Sequence, residues 1–463
     1  MKISELPKIG KITGAEVLYL VKDGVSYKAT LDDIRSGEPD AKGLYPDVPI
    51  NYVEIVRFSG QESTTVVTNG NTSLIDKIWS GVFPCTINRS GIITQMLNGE
   101  DTTKTVDGLP AVLDDWAQPC MVRYGGYWTR YYYDATTNTK HFRYSPYKVK
   151  GYKYVRRRFL SMFGGSIESH ESKNMLTSNA GAWTTQNVNL STYHADAKNM
   201  GDIFRARAVQ DRKVYRDMFW LKELTFNSQS VQRGCNGVSW DWWGKFSQAE
   251  NGGASQYAQF YKNGITAQVK GHKGEVSITA NNGESDATVK AQKWGWIEGW
   301  LGGPYWLWEG GALKKADKWY EAKDINTFTS FDPTSEQYQY LCDAVKTSDS
   351  YILEDFEDTI IPSMVGGTDH TGHCDMYWRA EDAAGTNVYI PAGSGSANGG
   401  SNLGVSVLYS NGVLSAANAN YGSNLGVSVL SSGFVLSNAY PRCGSALASD
   451  DPTDTIPDGT VAA

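Results

Sequence analysis

The apolar positions of this chain fall mostly into short runs bounded by Gly, Pro, Asn and Asp, the pattern of strands joined by tight turns. Residues 16–20 and 25–30 read as two strands. Asp23-Gly24 between them signals a hairpin, because Gly accepts the positive φ such turns require. Residues 53–58, 63–67 and 155–163 are strand-like. Residues 121–133, dense in Tyr and Trp, read as a strand that pairs with 140–147 across a turn at 134–138. Residues 268–289 are polar and turn-rich and read as exposed hairpins.

Helical spacing occurs in a few places. It is clearest over 211–225, where Val214, Met218, Leu221 and Leu224 form one stripe. Residues 107–118 show it through Leu109, Val112, Leu113 and Trp116, and 334–345 read as another short helix. Thr30 can cap a short helix over 31–35, with Asp33 at the capping-box position. The fold class predicted is α+β: a small N-terminal hairpin module, then a large β-rich domain with one or two helices.

The last apolar stretch is a near-repeat. Residues 401–422 read SNLGVSVLYSNGVLSAANANYG and 423–444 read SNLGVSVLSSGFVLSNAYPRCG. The matches are mostly Gly, Leu and Val, which set a backbone and a buried face. The mismatches include Tyr409/Ser431, Asn411/Gly433, Ala416/Asn438 and Asn418/Tyr440. A constant frame carrying exchangeable Asn, Tyr and Ser resembles the chemistry of antibody loops and points to a binding surface. The alternative is a pair of hairpins whose Asn and Ser only fill turns.

Composition narrows the classes. At 463 residues the chain has room for two to four domains. Its 48 Gly, 27 Tyr and 15 Trp favour a loop-rich β protein over a helical bundle. The net charge is -7, and Arg156, Arg157 and Arg158 form the only basic triplet, too short for a nucleic-acid footprint. They read as a solvated strand or loop end. No apolar run is long enough to span a bilayer, and residues 1–11 lack a signal-peptide core, so synthesis in the cytosol is expected. The six Cys are scattered without a C-x-x-C pair, which makes buried free thiols the default.

Three further clusters carry residue types capable of chemistry. Eight Trp (240, 242, 243, 294, 296, 300, 306, 308) offer either a sugar-stacking belt or core filling, and core filling is the stronger reading. Asp369, His370, His373, Cys374 and Asp375 are metal-ligand types, weakly spaced for zinc and better read as a polar loop. Asp241, Glu298 and Glu309 lie near aromatics, but a glycosidase needs two carboxyls at a set separation that sequence does not supply. There is no Gly-x-Ser-x-Gly element, phosphate loop or dinucleotide fingerprint. No catalytic residue, metal or cofactor is assigned.

Two parts of the chain resemble phage tail proteins. The opening KISELP…ITGAEVLYLVKDGVSYKATLDDI resembles the N-terminal modules of virion-attached fibre and appendage proteins. The ordered series LPAVLDDW, MVRYGGYWTRYYY, SPYKVKGYKYVRRRF, LTSNAG, LKELTFNSQS and GGSNLG…GSNLG is similar to C-type-lectin-fold phage tail fibres, a group that includes variable proteins diversified by retroelements. The chain departs from that group by closing on PRCG and by having no Trp in the repeat.

Composition reads as a linker at 37–48, rich in Gly, Pro and Asp, and as a mobile acidic tail at 449–463; the resemblance implies a virion-attachment module at 1–36 and, beyond a β-rich connecting region at 49–120, a C-type-lectin-like domain at 121–448 with a variable segment at 401–444. It implies outward-pointing ligand positions at Asn402, Tyr409, Ser410, Asn411, Asn418, Asn420, Tyr421, Asn424, Ser431, Ser432, Asn438 and Tyr440. The implied function is adhesion: a receptor-binding tail protein, trimeric, located in the virion. Its partners would be a bacterial surface protein or glycan and other tail proteins, with no nucleic acid and no membrane insertion. A virion-borne polysaccharide depolymerase and a purely structural tail component remain alternatives.

Overall fold

The computed structural model describes residues 17–22, 25–30, 52–58, 63, 66–235, 261–281, 285–303, 305–395, 402–417 and 421–428. Strands dominate these residues, which include three α-helices: α1 (Leu74–Trp79), α2 (Leu190–Met200) and α3 (Val209–Glu223). The expected helix at 31–35, the linker and the tail at 449–463 lie outside the described residues.

The local hairpin signals hold. Val17–Lys22 pairs antiparallel with Val25–Thr30. Tyr127–Asp134 pairs with Thr139–Ser145 in the register that a turn after Asp134 imposes. Lys273–Asn281 and Asp286–Trp294 form the hairpin expected in the polar stretch. The long run at 121–133 is two strands rather than one. Cys120–Tyr124 and Tyr127–Asp134 belong to different sheets. Gly125-Gly126 separates them, and a Cβ at Gly126 would collide with the Tyr154 hydroxyl. The run at 155–163 is likewise divided, into Lys153–Val155 and Arg158–Ser161, and the strand expected at 63–67 begins only at Val67.

Two expected helices do not form. Residues 107–118 run as turns and isolated bridges, including Lys104 to Pro110. Pro110 disfavours helical dihedrals at Leu109, which is 64% exposed, so the apolar spacing there buries no stripe. Within 334–345, Tyr338–Asp343 is a strand paired with Lys318–Ala322. A neighbouring strand edge and the burial of Tyr338 and Cys342 outweigh the helical spacing. Helix α2 has no counterpart among the expected elements. Its Asn189 cap accepts a hydrogen bond from the Thr192 amide, and Leu190, Tyr193, Ala197 and Met200 are buried on one stripe.

The larger sheets tie distant segments together. A six-stranded sheet runs Phe204–Ala206, Leu425–Ser428, Arg158–Ser161, Cys120–Tyr124, Phe83–Ile87, Ile93–Met96. In a five-stranded sheet Val53–Phe58 pairs with Thr139–Ser145. Strands on both sides of the expected boundary at 120 therefore share sheets. A ten-stranded sheet contains Leu408–Val413, which lies between Tyr389–Gly393 and Met376–Arg379.

Helix α3 sits where these layers meet. Val214, Met218 and Leu221 of the predicted stripe enter one core cluster with Tyr124, Trp294 and Trp300. Leu224 ends the helix as a left-handed cap with φ 53°. The opposite face is also covered: Asp211, Arg212, Lys213, Arg216 and Asp217 are all buried.

Candidate ligand-binding surface

The candidate surface rests on that charged face of α3. A bare ion there would carry a desolvation penalty of several kcal/mol, so each charge has a partner. Asp211 accepts from Arg205 at 2.5 and 2.8 Å and from Arg158 at 3.2 Å. Burial pushes the Asp211 carboxyl up, but the two guanidiniums outweigh it and hold the group below its usual range. Glu309 takes Arg212 at 2.9 Å and Arg207 at 2.5 Å. Lys213 bridges Asp217 at 2.7 Å and Asp358 at 2.9 Å. Arg216 pairs with Asp355 at 2.6 Å, and His373 adds a contact to the same carboxylate at 3.1 Å.

Both repeat copies clip onto this network through their shared SNLGVSV segment. In the first copy the Val407 carbonyl accepts from Arg212 Nη1 and the Leu403 carbonyl from Gln229. The Ser406 amide donates to Asp375 Oδ2 at 2.7 Å and the Val405 amide to Ser228 Oγ at 3.2 Å. In the second copy the Leu425 carbonyl accepts from Ser161 Oγ at 2.7 Å, and the Asn424 carbonyl accepts from the Arg207 amide at 2.7 Å. Gly404 and Gly426 hold the same place in the two copies. A Cβ at Gly404 would collide with Ser228 Oγ and Asp375, and one at Gly426 with Arg205 and Asp211. Glycine is required at both because the backbone lies directly against buried polar side chains, a hydroxyl and a carboxyl at Gly404 and the Arg205–Asp211 ion pair at Gly426.

The predicted ligand positions separate accordingly. Ser410 and Asn424, expected to point outward, are buried. Ser410 Oγ donates to the Trp378 carbonyl at 3.0 Å, and Asn424 Oδ1 accepts from the Gly165 amide at 3.1 Å. Period-two alternation explains Ser410, because Leu408, Ser410 and Gly412 form the covered face of Leu408–Val413. Asn424 is drawn inward by the backbone donors around Gly165. Asn402 is half-buried and accepts from the Tyr351 hydroxyl at 2.5 Å. Tyr409 is half-buried and Asn411 exposed, on the opposite face of the strand. The backbone of Tyr421 pairs in parallel with Trp306. Asn418, Asn420, Ser431, Ser432, Asn438 and Tyr440 lie outside the described residues.

An aromatic patch forms around Tyr409. Its ring stacks on Trp306 at 4.9 Å between centroids, and Trp306 meets Trp378 edge-on at 5.8 Å. All three rings are half-buried, so each keeps part of its surface in solvent. Rigid aromatic area beside an exposed amide suits a flat or hydroxyl-bearing ligand. Trp378 was missed in the sequence because it stands alone, outside the Trp-rich belt. In that belt Trp294, Trp296, Trp300 and Trp308 are buried and fill the core, Trp306 is half-buried, and Trp240, Trp242 and Trp243 lie outside the described residues.

The other clusters serve the scaffold. His373 is buried, stacks on Trp220 at 4.9 Å, and lies between Asp355 and Arg57. Among the described residues no three His, Cys, Asp or Glu side chains converge on a metal-sized site. Glu298 accepts from the Gly264 amide at 3.1 Å, the Thr266 amide at 2.9 Å and the Thr266 hydroxyl at 2.6 Å. Glu309 is held by its two arginines, and Asp241 lies outside the described residues. Five cysteines, Cys85, Cys120, Cys235, Cys342 and Cys374, are buried free thiols, and Cys443 lies outside the described residues.

No protein-family model matches the chain, and no curated protein matches it.

Proposed function

We propose that this chain is an adhesive phage tail protein, a receptor-binding fibre component with a C-type-lectin-like domain. It docks to the virion through residues 1–36 and grips a bacterial surface protein or glycan by reversible binding. The observation that carries this reading is the alternation along Leu408–Val413: Tyr409 and Asn411 face outward on a strand whose other face is locked into a ten-stranded sheet. A rigid strand lowers the ordering cost of binding, and Tyr offers large contact area with few rotatable bonds. The ligand surface is accordingly narrower than the whole repeat. It centres on Tyr409, Asn411, Trp306 and Trp378, while the SNLGVSV segments anchor the copies. Assembly as a trimer would raise avidity by about 10²–10⁴ over one weak site.

The test is binding of the purified chain to host cells, measured by flow cytometry, for a Tyr409→Ala/Asn411→Ala double variant. Neither residue belongs to the buried charge network, so the variant is expected to stay folded, as read by its circular dichroism spectrum, and to bind about tenfold less or weaker still. Binding equal to the parent chain would remove the reading.

A further inference from the structure

Three adjacent strands of the ten-stranded sheet, Leu408–Val413, Met376–Arg379 and Ser350–Asp355, alternate in step. Leu408, Tyr377 and Ile352 enter one core cluster on the covered side. Period two sends their neighbours to the other side. There Trp378 lies level with Tyr409, and Tyr351 level with Met376. Tyr351, Met376, Trp378 and Tyr409 are half-buried and Asn411 is exposed. Trp306 extends the row, because its ring stacks on Tyr409 and meets Trp378 edge-on. Its strand, Trp306–Trp308, adjoins Tyr389–Gly393, which is the other neighbour of Leu408–Val413. The far end of the row is fixed as well, since the Tyr351 hydroxyl donates to Asn402 Oδ1 at 2.5 Å.

Charge and shape set the occupant. None of these side chains is charged, so the row offers no counter-ion to an ionic ligand. Four half-buried rings present only part of the roughly 150–250 Å² that each aromatic side chain can bury, about 300 Å² together. A stable protein partner covers about 800 Å² on each side. Among the described residues the row therefore has the width of a chain, not of a protein interface. From the strand of Tyr351 to that of Trp306 it crosses five strands. At about 4.8 Å between neighbours it is about 19 Å long, and each step is close to the length of one sugar ring in an extended glycan. Pyranose rings have C–H faces that pack on aromatic rings. Their hydroxyl rims both donate and accept, as the Asn411 amide does.

Resting on the adhesive reading of Tyr409 and Asn411, we propose that the ligand is an uncharged linear glycan that lies across the strands and fills about four sugar positions. Tyr351 is then a specificity contact at the far end from Trp306.

The experiment uses the full chain and host cells, with binding read by flow cytometry. Mild periodate, which cleaves sugar diols, should lower binding about tenfold or more, and proteinase K should leave it unchanged. Binding should also be the same at low and high salt, because no ion pair is there to be screened. Acid-hydrolysed host polysaccharide, fractionated by size, should compete once fragments reach about four units, and its monosaccharides should not. Tyr351→Ala, checked for fold by circular dichroism, should weaken cell binding and shorten the fragment that competes best. Protease-sensitive, periodate-resistant binding that Tyr409→Ala/Asn411→Ala still abolishes would overturn the glycan and leave adhesion standing. Full binding by that double variant would remove adhesion itself. Competition by monosaccharides, a steep loss of binding with salt, or a Tyr351→Ala chain with the parent's fragment preference would each overturn the proposal.

Discussion

Asp375 and His194 show how single buried groups set the pH response. Asp375 is fully buried against the first repeat copy, and burial pushes its carboxyl up to about 8, against the pull of the Ser406 amide and of Arg212 and Arg216. The folded chain therefore holds this proton more tightly than the unfolded chain does. Its contribution to stability is full below the ordinary carboxyl value and is lost as pH rises towards about 8. His194 packs against Phe328 and Phe331, and burial, with help from Lys198 and Arg205, lowers it to about 4. Here the unfolded chain binds the extra proton, so this contribution is full above the ordinary imidazole value and is lost as pH falls towards about 4. Urea midpoints measured across pH should therefore lose their alkaline-side decline in Asp375→Asn and their acid-side decline in His194→Gln. Unchanged pH profiles in both variants would contradict these assignments.

At the scale of elements, α3 departs most from its sequence pattern. Its apolar stripe predicts a helix with one face in solvent, yet its charged face is enclosed by Glu309, Asp355 and Asp358 from segments more than ninety positions away. Removing one partner of such a pair leaves an uncompensated ion. Glu309→Ala strands Arg207 and Arg212 and is expected to cost about 3–5 kcal/mol, read as a lowered denaturation midpoint. Glu171→Ala breaks only an exposed pair with Arg89 and should change stability by about 1 kcal/mol or less. The stripe of α2 was present in the sequence and readable. That of 107–118 was present too, but Pro110 and a lack of any covering layer left it unused.

At the scale of the molecule, the second repeat copy closes the fold. Leu425–Ser428 is an interior strand that pairs with both Arg158–Ser161 and Phe204–Ala206, and Leu425 and Val427 are buried in the second core cluster. A chain ending at residue 422 would leave two strand edges and an apolar groove open. It is expected to lose its near-ultraviolet circular dichroism and its single cooperative melting transition. A truncated chain that melts like the parent would refute that role. The same placement means that a substitution at the first residues of the second copy would disturb the core.

What the sequence determined by itself is local: the hairpins at 17–30, 127–145 and 273–294, the stripe of α3, the buried thiols and the core role of most of the tryptophans. Turn chemistry and apolar period act between near neighbours, so they are written in short stretches. Tertiary structure alone decided the conformation of SNLGVSV. The segment is irregular at 403–406, where Gly404 lies against Ser228 and Asp375, and a strand at Leu425–Ser428, where two strand edges await it. Intrinsic preference differs by no more than about 1 kcal/mol per residue, and identical segments have none to distinguish them. The partners that satisfy each copy's backbone come from residues 161, 212, 228 and 375. Their convergence selects one conformation at each place, and with it which side chains of the repeat reach solvent.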